Sequence, residues 1–266
     1  NTDGLAQAFR RKLGPDAAIA VTDQDHEANS GVWRLLADEG IELREWRINP
    51  QTGHLDPQAL VPLLSDGRVR LVCFPHCSNV VGEINDVAAI TALAHDAGAV
   101  TCVDGVSYAP HGLPDVGALS ADIYQFSSYT TYGPHQGCMV IRRALGEMLP
   151  NQGHHFNGGT LYKRFTPAGP DHAQVAASAG MADYIDALAE HHGGSELSPT
   201  ARGEMAHDLM RAHESALLQP MLDAVKDRNA VRLLGPSDAT RRAPTVALSL
   251  NRPAGPVAAE LARHGI

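Results

Sequence analysis

Between residues 17 and 126, short apolar runs alternate with helix-like segments, and this rhythm constrains the fold more than any other feature of the chain. The runs cover Ala17 to Val21, Ile41 to Ile48, Val69 to Phe74, Ala99 to Val103 and Asp122 to Phe126. Most are apolar at consecutive positions rather than at every second one, as expected for strands covered on both faces. The segments between them carry helical spacing, for example Val87, Ile90, Leu93 and Ala94. The expected fold class is therefore α/β, with a mainly parallel central sheet covered by helices. Further helices are expected over 56–64, 172–189, 199–226 and 256–264, with strands over 137–142, 231–234 and 245–250.

The strands stop at polar residues. Ala99–Val103 runs into Asp104 and Gly105, and Asp122–Phe126 runs into Ser127, Ser128, Tyr129 and Thr130. Asp25-His26 follows the first strand, and His76-Cys77-Ser78-Asn79 follows the third. Open α/β sheets bind ligands at the carboxyl ends of their strands, so these residues are the candidate site. Individually each has a local role open to it as well. Asp104 can cap the next turn, Asn79 can stabilise its own turn, and Thr2 or Asp3 can cap the first helix.

Several functions are disfavoured. The Gly-x-Gly-x-x-Gly and Gly-x-x-x-x-Gly-Lys phosphate loops are absent, as is the Gly-x-Ser-x-Gly elbow. The formal charge of −9, with acids and bases interspersed, argues against nucleic acid. No apolar run approaches the roughly 20 residues of a membrane span. Cys73 and Cys102 lie within strands and Cys77 and Cys138 near strand ends, which reads as reduced thiols in a cytoplasmic protein. Cys73, His76 and Cys77 lack a second ligand pair at zinc spacing, so no metal is expected.

Asp104-Gly105, then Ala121-Asp122-x-Tyr124-x-Phe126-Ser127-x-Tyr129, then Tyr132-Gly133-Pro134-x-x-Gly137, resembles the core of the class V aminotransferases, in the cysteine desulfurase-like branch. These are pyridoxal phosphate (PLP) enzymes of fold type I. The resemblance implies that Asp104 pairs with the pyridine nitrogen and that His26 stacks on the ring. It implies that Asn79 bonds the phenolic oxygen, and that Thr2, Ser127 and Tyr129 bind the phosphate. Ser107, in the turn after Asp104, joins this cofactor-binding set. The family builds its site at a homodimer interface, using a partner loop comparable to the stretch near Thr166. Pro170 stands there in place of a phosphate-binding threonine.

One position departs from the pattern. The Schiff-base lysine of the family falls on Thr130, and the three lysines present, Lys12, Lys163 and Lys226, lie elsewhere. Three explanations stay open: an altered residue in an intact scaffold, a PLP-binding protein without turnover, or a cofactor-free interaction protein. By the same resemblance, residues 1–228 form an N-terminally incomplete large domain and residues 229–266 begin a small C-terminal α+β domain. The expected ligand is an amino acid, with no nucleic acid or membrane partner, and the expected chemistry is C–S cleavage or amino-group transfer.

Overall fold

The computed structural model describes residues 2–166 and 168–266. One 6-stranded sheet contains β1 (Ala18–Thr22), β2 (Glu42–Trp46), β3 (Val69–Pro75), β4 (Val100–Asp104), β5 (Ile123–Ser127) and β6 (Gly137–Ile141). Their spatial order is β2-β1-β3-β4-β5-β6, and every neighbouring pair is parallel except β5 and β6. The expected mainly parallel sheet is present. The reversal at β6 follows from its connection: the chain between Ser127 and Gly137 is too short for the crossover that a parallel neighbour needs.

Successive strand residues point to opposite faces, and both faces are covered. Ala18, Ala20, Val72, Phe74, Val103 and Tyr124 enter one core. Ile19, Val21, Leu71, Cys73, Cys102 and Ile123 enter the other. This double burial makes the strands apolar at consecutive positions. Helices α1 (Thr2–Arg10) and α2 (Glu27–Leu35) cover the second face, where Phe9 and Trp33 meet edge-on at 5.7 Å. Helices α3 (Val61–Leu64) and α4 (Val87–Asp96) cover the first. Asp86 caps α4 by accepting from the Ala89 N–H at 3.0 Å.

Two expected helices are interrupted. Over residues 56–64 a 3₁₀ turn, Pro57–Leu60, precedes the short α3. Pro62 has no N–H with which to continue a ladder begun at Asp56. The helix expected over 172–189 is two, α6 (His172–Ala177) and α7 (Ala179–His191), after the short α5 (Arg143–Met148). Ser178 lies at the break, its hydroxyl 3.0 Å from both the Gln174 carbonyl and Gln136 Oε1. A serine hydroxyl that competes for a backbone carbonyl weakens a helix at that point. Helix α8 (Pro199–Lys226) keeps its expected bounds, as does β7 (Val231–Leu234). A second, two-stranded sheet pairs β7 with β8 (Ala247–Leu250), followed by α9 (Ala254–Arg263).

Arg242 joins this second sheet to the first. Its side chain is fully buried, yet among the described residues it forms no ion pair with a carboxylate. The guanidinium donates to the carbonyls of Pro236 (2.6 Å), Val81 (2.8 Å) and Thr245 (2.5 Å). The Ala243 N–H donates to the Gly82 carbonyl at 2.8 Å. Gly82 has φ +73°, and a Cβ there would lie 2.5 Å from the Thr245 oxygen, so only glycine fits. Arg242→Ala would strand the buried Val81 carbonyl and remove the donor from the part-buried carbonyls of Pro236 and Thr245. It should lower stability by about 2–4 kcal/mol, read as a reduced urea midpoint.

Candidate functional site

The polar residues at the strand ends surround an open cleft of about 200 Å³. Asp104 ends β4, only 7% exposed, and its Oδ1 accepts the Val106 N–H at 2.8 Å. Backbone bonds hold the strand end in place. The His76 N–H donates to the Asp104 carbonyl at 2.7 Å, and the Gly105 N–H to that of Gln125 at 2.7 Å. A Cβ on Gly105 would overlap the Tyr124 ring, which accounts for the glycine after the acid. Burial raises the Asp104 pKa, while the Val106 N–H and the nearby His26 pull it down.

The second strand end supplies hydroxyls. Ser127 Oγ and Thr130 Oγ1 lie 2.7 Å apart, and the Thr130 hydroxyl also reaches the Ser127 carbonyl at 2.9 Å. Thr2, in the first turn of α1, donates from its hydroxyl to Gln125 Oε1 at 3.3 Å. Gln125 and Ser127 share one face of β5, which brings the α1 N-terminus beside Ser127.

The structure gathers Thr2, Asp104, Ser127 and Tyr129 in the lining of one cleft. His26, outside that lining, is exposed as the N-cap of α2, and its Nδ1 accepts the Ala28 N–H at 3.1 Å. Asn79, Ser107 and Thr130 are not in that lining. Asn79 is exposed in the turn after β3, and Ser107 is half-buried in the turn after Asp104. Lys163 lines a separate cavity of about 740 Å³, with His154 and Thr166.

Other residues of the site were not assigned from the sequence. Asn29 lines the cleft, and its amide donates to Asp25 Oδ2 at 2.6 Å. The Asp25 pKa is raised well above its ordinary value, first by burial and then by the charge of Asp104. Behind Asp104, the His76 ring stacks on Tyr108 at 3.7 Å, and its Nδ1 pairs with the Tyr124 hydroxyl at 2.9 Å. Two signals in the sequence pointed this way: Asp25 in the turn after β1 and His76 at the end of β3.

With this geometry in view, similarity decides the lineage. The family profile described as Aminotransferase class-V matches residues 3–266. The chain belongs to the class-V aminotransferase family. A cysteine desulfurase of Serratia proteamaculans is 32% identical over 267 residues, covering 94% of this chain and 60% of the relative. An aminotransferase-like protein of Gibberella zeae is 36% identical over 205 residues, covering 70% and 50%. Among solved structures, the cysteine desulfurase CsdA of Escherichia coli superposes with a TM-score of 0.70 at 25% identity, covering 94% of this chain and 60% of that one. The apo cysteine desulfurase of Thermococcus onnurineus gives 0.74 at 21% identity, covering 100% and 65%, a likeness of fold. The chain spans 50–60% of the length of these curated relatives. Class-V aminotransferases are PLP-dependent, and this chain is a desulfurase-like member.

His76 makes the site's surroundings sensitive to acid. Burial, and secondarily His207, lowers its pKa from 6.5 to about 3. The folded chain thus binds a proton less readily than the unfolded chain. This contribution to stability is complete above pH 6.5 and is lost as pH falls towards 3. The loss approaches about 1.4 kcal/mol per pH unit. Asp25 and Asp104, raised by burial, carry the opposite sign. Comparison of one variant with the parent therefore isolates the histidine. His76→Phe should cost about 1–2 kcal/mol at neutral pH, because the Tyr124 hydroxyl loses its partner. It should also flatten the acid side of a plot of Tm against pH.

Proposed function

We propose that the chain is a PLP-binding class-V protein whose ancestral chemistry on an amino acid, C–S cleavage or amino-group transfer, is impaired at residue 130. The observation that carries this reading is the cleft itself. Its lining joins a buried carboxylate, Asp104, to the hydroxyls of Thr2 and Ser127, and contains no lysine among the described residues. That donor set suits a flat phosphorylated pyridine. Asp104 would keep a proton on the ring nitrogen, an arrangement that would draw its own pKa down. Thr2, Ser127 and the free amides of the first turn of α1 would bind the phosphate. His26, the N-cap of α2, would lie against the ring.

Bound PLP supplies an electron sink for charge developing at the substrate's Cα. What the described cleft lining lacks is an amine to hold the cofactor covalently and to move the Cα proton. A threonine hydroxyl does neither. Binding without turnover is the second reading, favoured because the Thr130 hydroxyl is committed to Ser127 rather than to the cleft.

Two measurements test the assignment. Asp104→Ala should weaken PLP binding about tenfold relative to Asp115→Ala, a change at an exposed acid in the following loop. Equal affinities would remove Asp104 from the site. Dialysis should strip PLP from the parent chain, and borohydride should fix none of it. Thr130→Lys should retain the cofactor and give a borohydride-fixed label on residue 130, at an overpacking cost of about 1–3 kcal/mol. A folded Thr130→Lys variant that takes no label under saturating PLP would sink this placement.

A further inference from the structure

A phosphate monoester carries close to two negative charges at neutral pH. The cleft already contains the Asp104 carboxyl, while Thr2, Gln125, Ser127 and Tyr129 offer only neutral groups. No lysine or arginine lines it among the described residues. His135 is the one described lining side chain able to become a cation.

The position of His135 is defined. Its ring stacks on Tyr129, with centroids 4.5 Å apart and planes 10° from parallel. Tyr129 belongs to the 3₁₀ turn Ser128–Thr130 that follows Ser127 directly. The Ser128 N–H donates to the Gln136 carbonyl at 2.8 Å, so the segment carrying His135 folds back onto this turn. The stacked pair thus stands beside the Ser127 hydroxyl and the N-terminal turn of α1, within the same cleft.

We infer that His135 is a phosphate-binding residue of this cleft, pairing its imidazolium with the cofactor phosphate while Tyr129 fixes the plane of the ring. The assignment rests on the PLP reading above. It supplies the positive charge that the neutral hydroxyls and amides lack, and charge-assisted hydrogen bonds to an anion are roughly twice as strong as neutral ones.

The test compares two ligands that differ only in the phosphate. The chain is titrated with PLP and, separately, with pyridoxal, and each dissociation constant is read from absorbance changes. His135→Gln should weaken PLP about tenfold and leave pyridoxal within about twofold. His135→Arg, which keeps a cation, should hold PLP affinity within about threefold of the parent. His135 is exposed, so neither change threatens the fold, and pyridoxal affinity serves as the internal control. Equal weakening of both ligands by His135→Gln, or no weakening of PLP, overturns the His135 assignment and leaves the PLP reading standing. An arginine variant as weak as the glutamine variant also overturns it. A parent chain that binds neither ligand overturns the PLP reading itself, and the assignment with it.

Discussion

The site depends on β4 being unable to move. The strand is hydrogen-bonded on both edges, to β3 and to β5, and buried on both faces. Its last residue, Asp104, is gripped through its backbone by His76 and followed by a glycine pressed against Tyr124. A carboxyl fixed in this way costs free energy to keep ionised, and that cost is recovered only against a cation or a donor. Apolar strands leave chemistry nowhere to sit except where the ladder ends. The hydroxyls at the end of β5 and the first turn of α1 therefore converge on the same place.

Much of this was legible in the sequence for local reasons. Strand interiors are recognisable by largely apolar runs, and Asp104 and Ser127 stand at the ends of two of them. Thr2 and Tyr129 followed from the motif around them. What the sequence did not report has longer-range causes. Asn79 belongs to a turn anchored by Arg242, far away in sequence, and no local pattern reports which way such a turn faces. Asp25 and His26 are adjacent, but the turn half-buries the first and exposes the second, using Asn29 one helical turn on. The path to His135 bends at Tyr132, which adopts a left-handed φ of 67°, unusual for a bulky residue. The breaks at Pro62 and Ser178 are side-chain effects that hydrophobic periodicity does not register.

Residue 130 is not a gap left by a missing side chain. Threonine closes the turn after β5 by bonding back to both the hydroxyl and the carbonyl of Ser127. This is the local hydroxyl-to-backbone pattern that stabilises turns. Threonine at this position is therefore structurally comfortable in this chain. Asp104 and the α1 N-terminus are each fixed by their own strand or helix, whereas the Ser127 hydroxyl is tied to Thr130 directly.

The seam between the two sheets carries a further consequence. Surface ion pairs such as Arg44–Asp66 fade as salt screens them. Arg242 is different: its side chain is buried, and its guanidinium is bound by carbonyl dipoles rather than by a contacting carboxylate among the described residues. Counterions cannot reach that arrangement. The junction that sets the turn after β3 is thus built to be indifferent to ionic strength, while the chain's exterior is not.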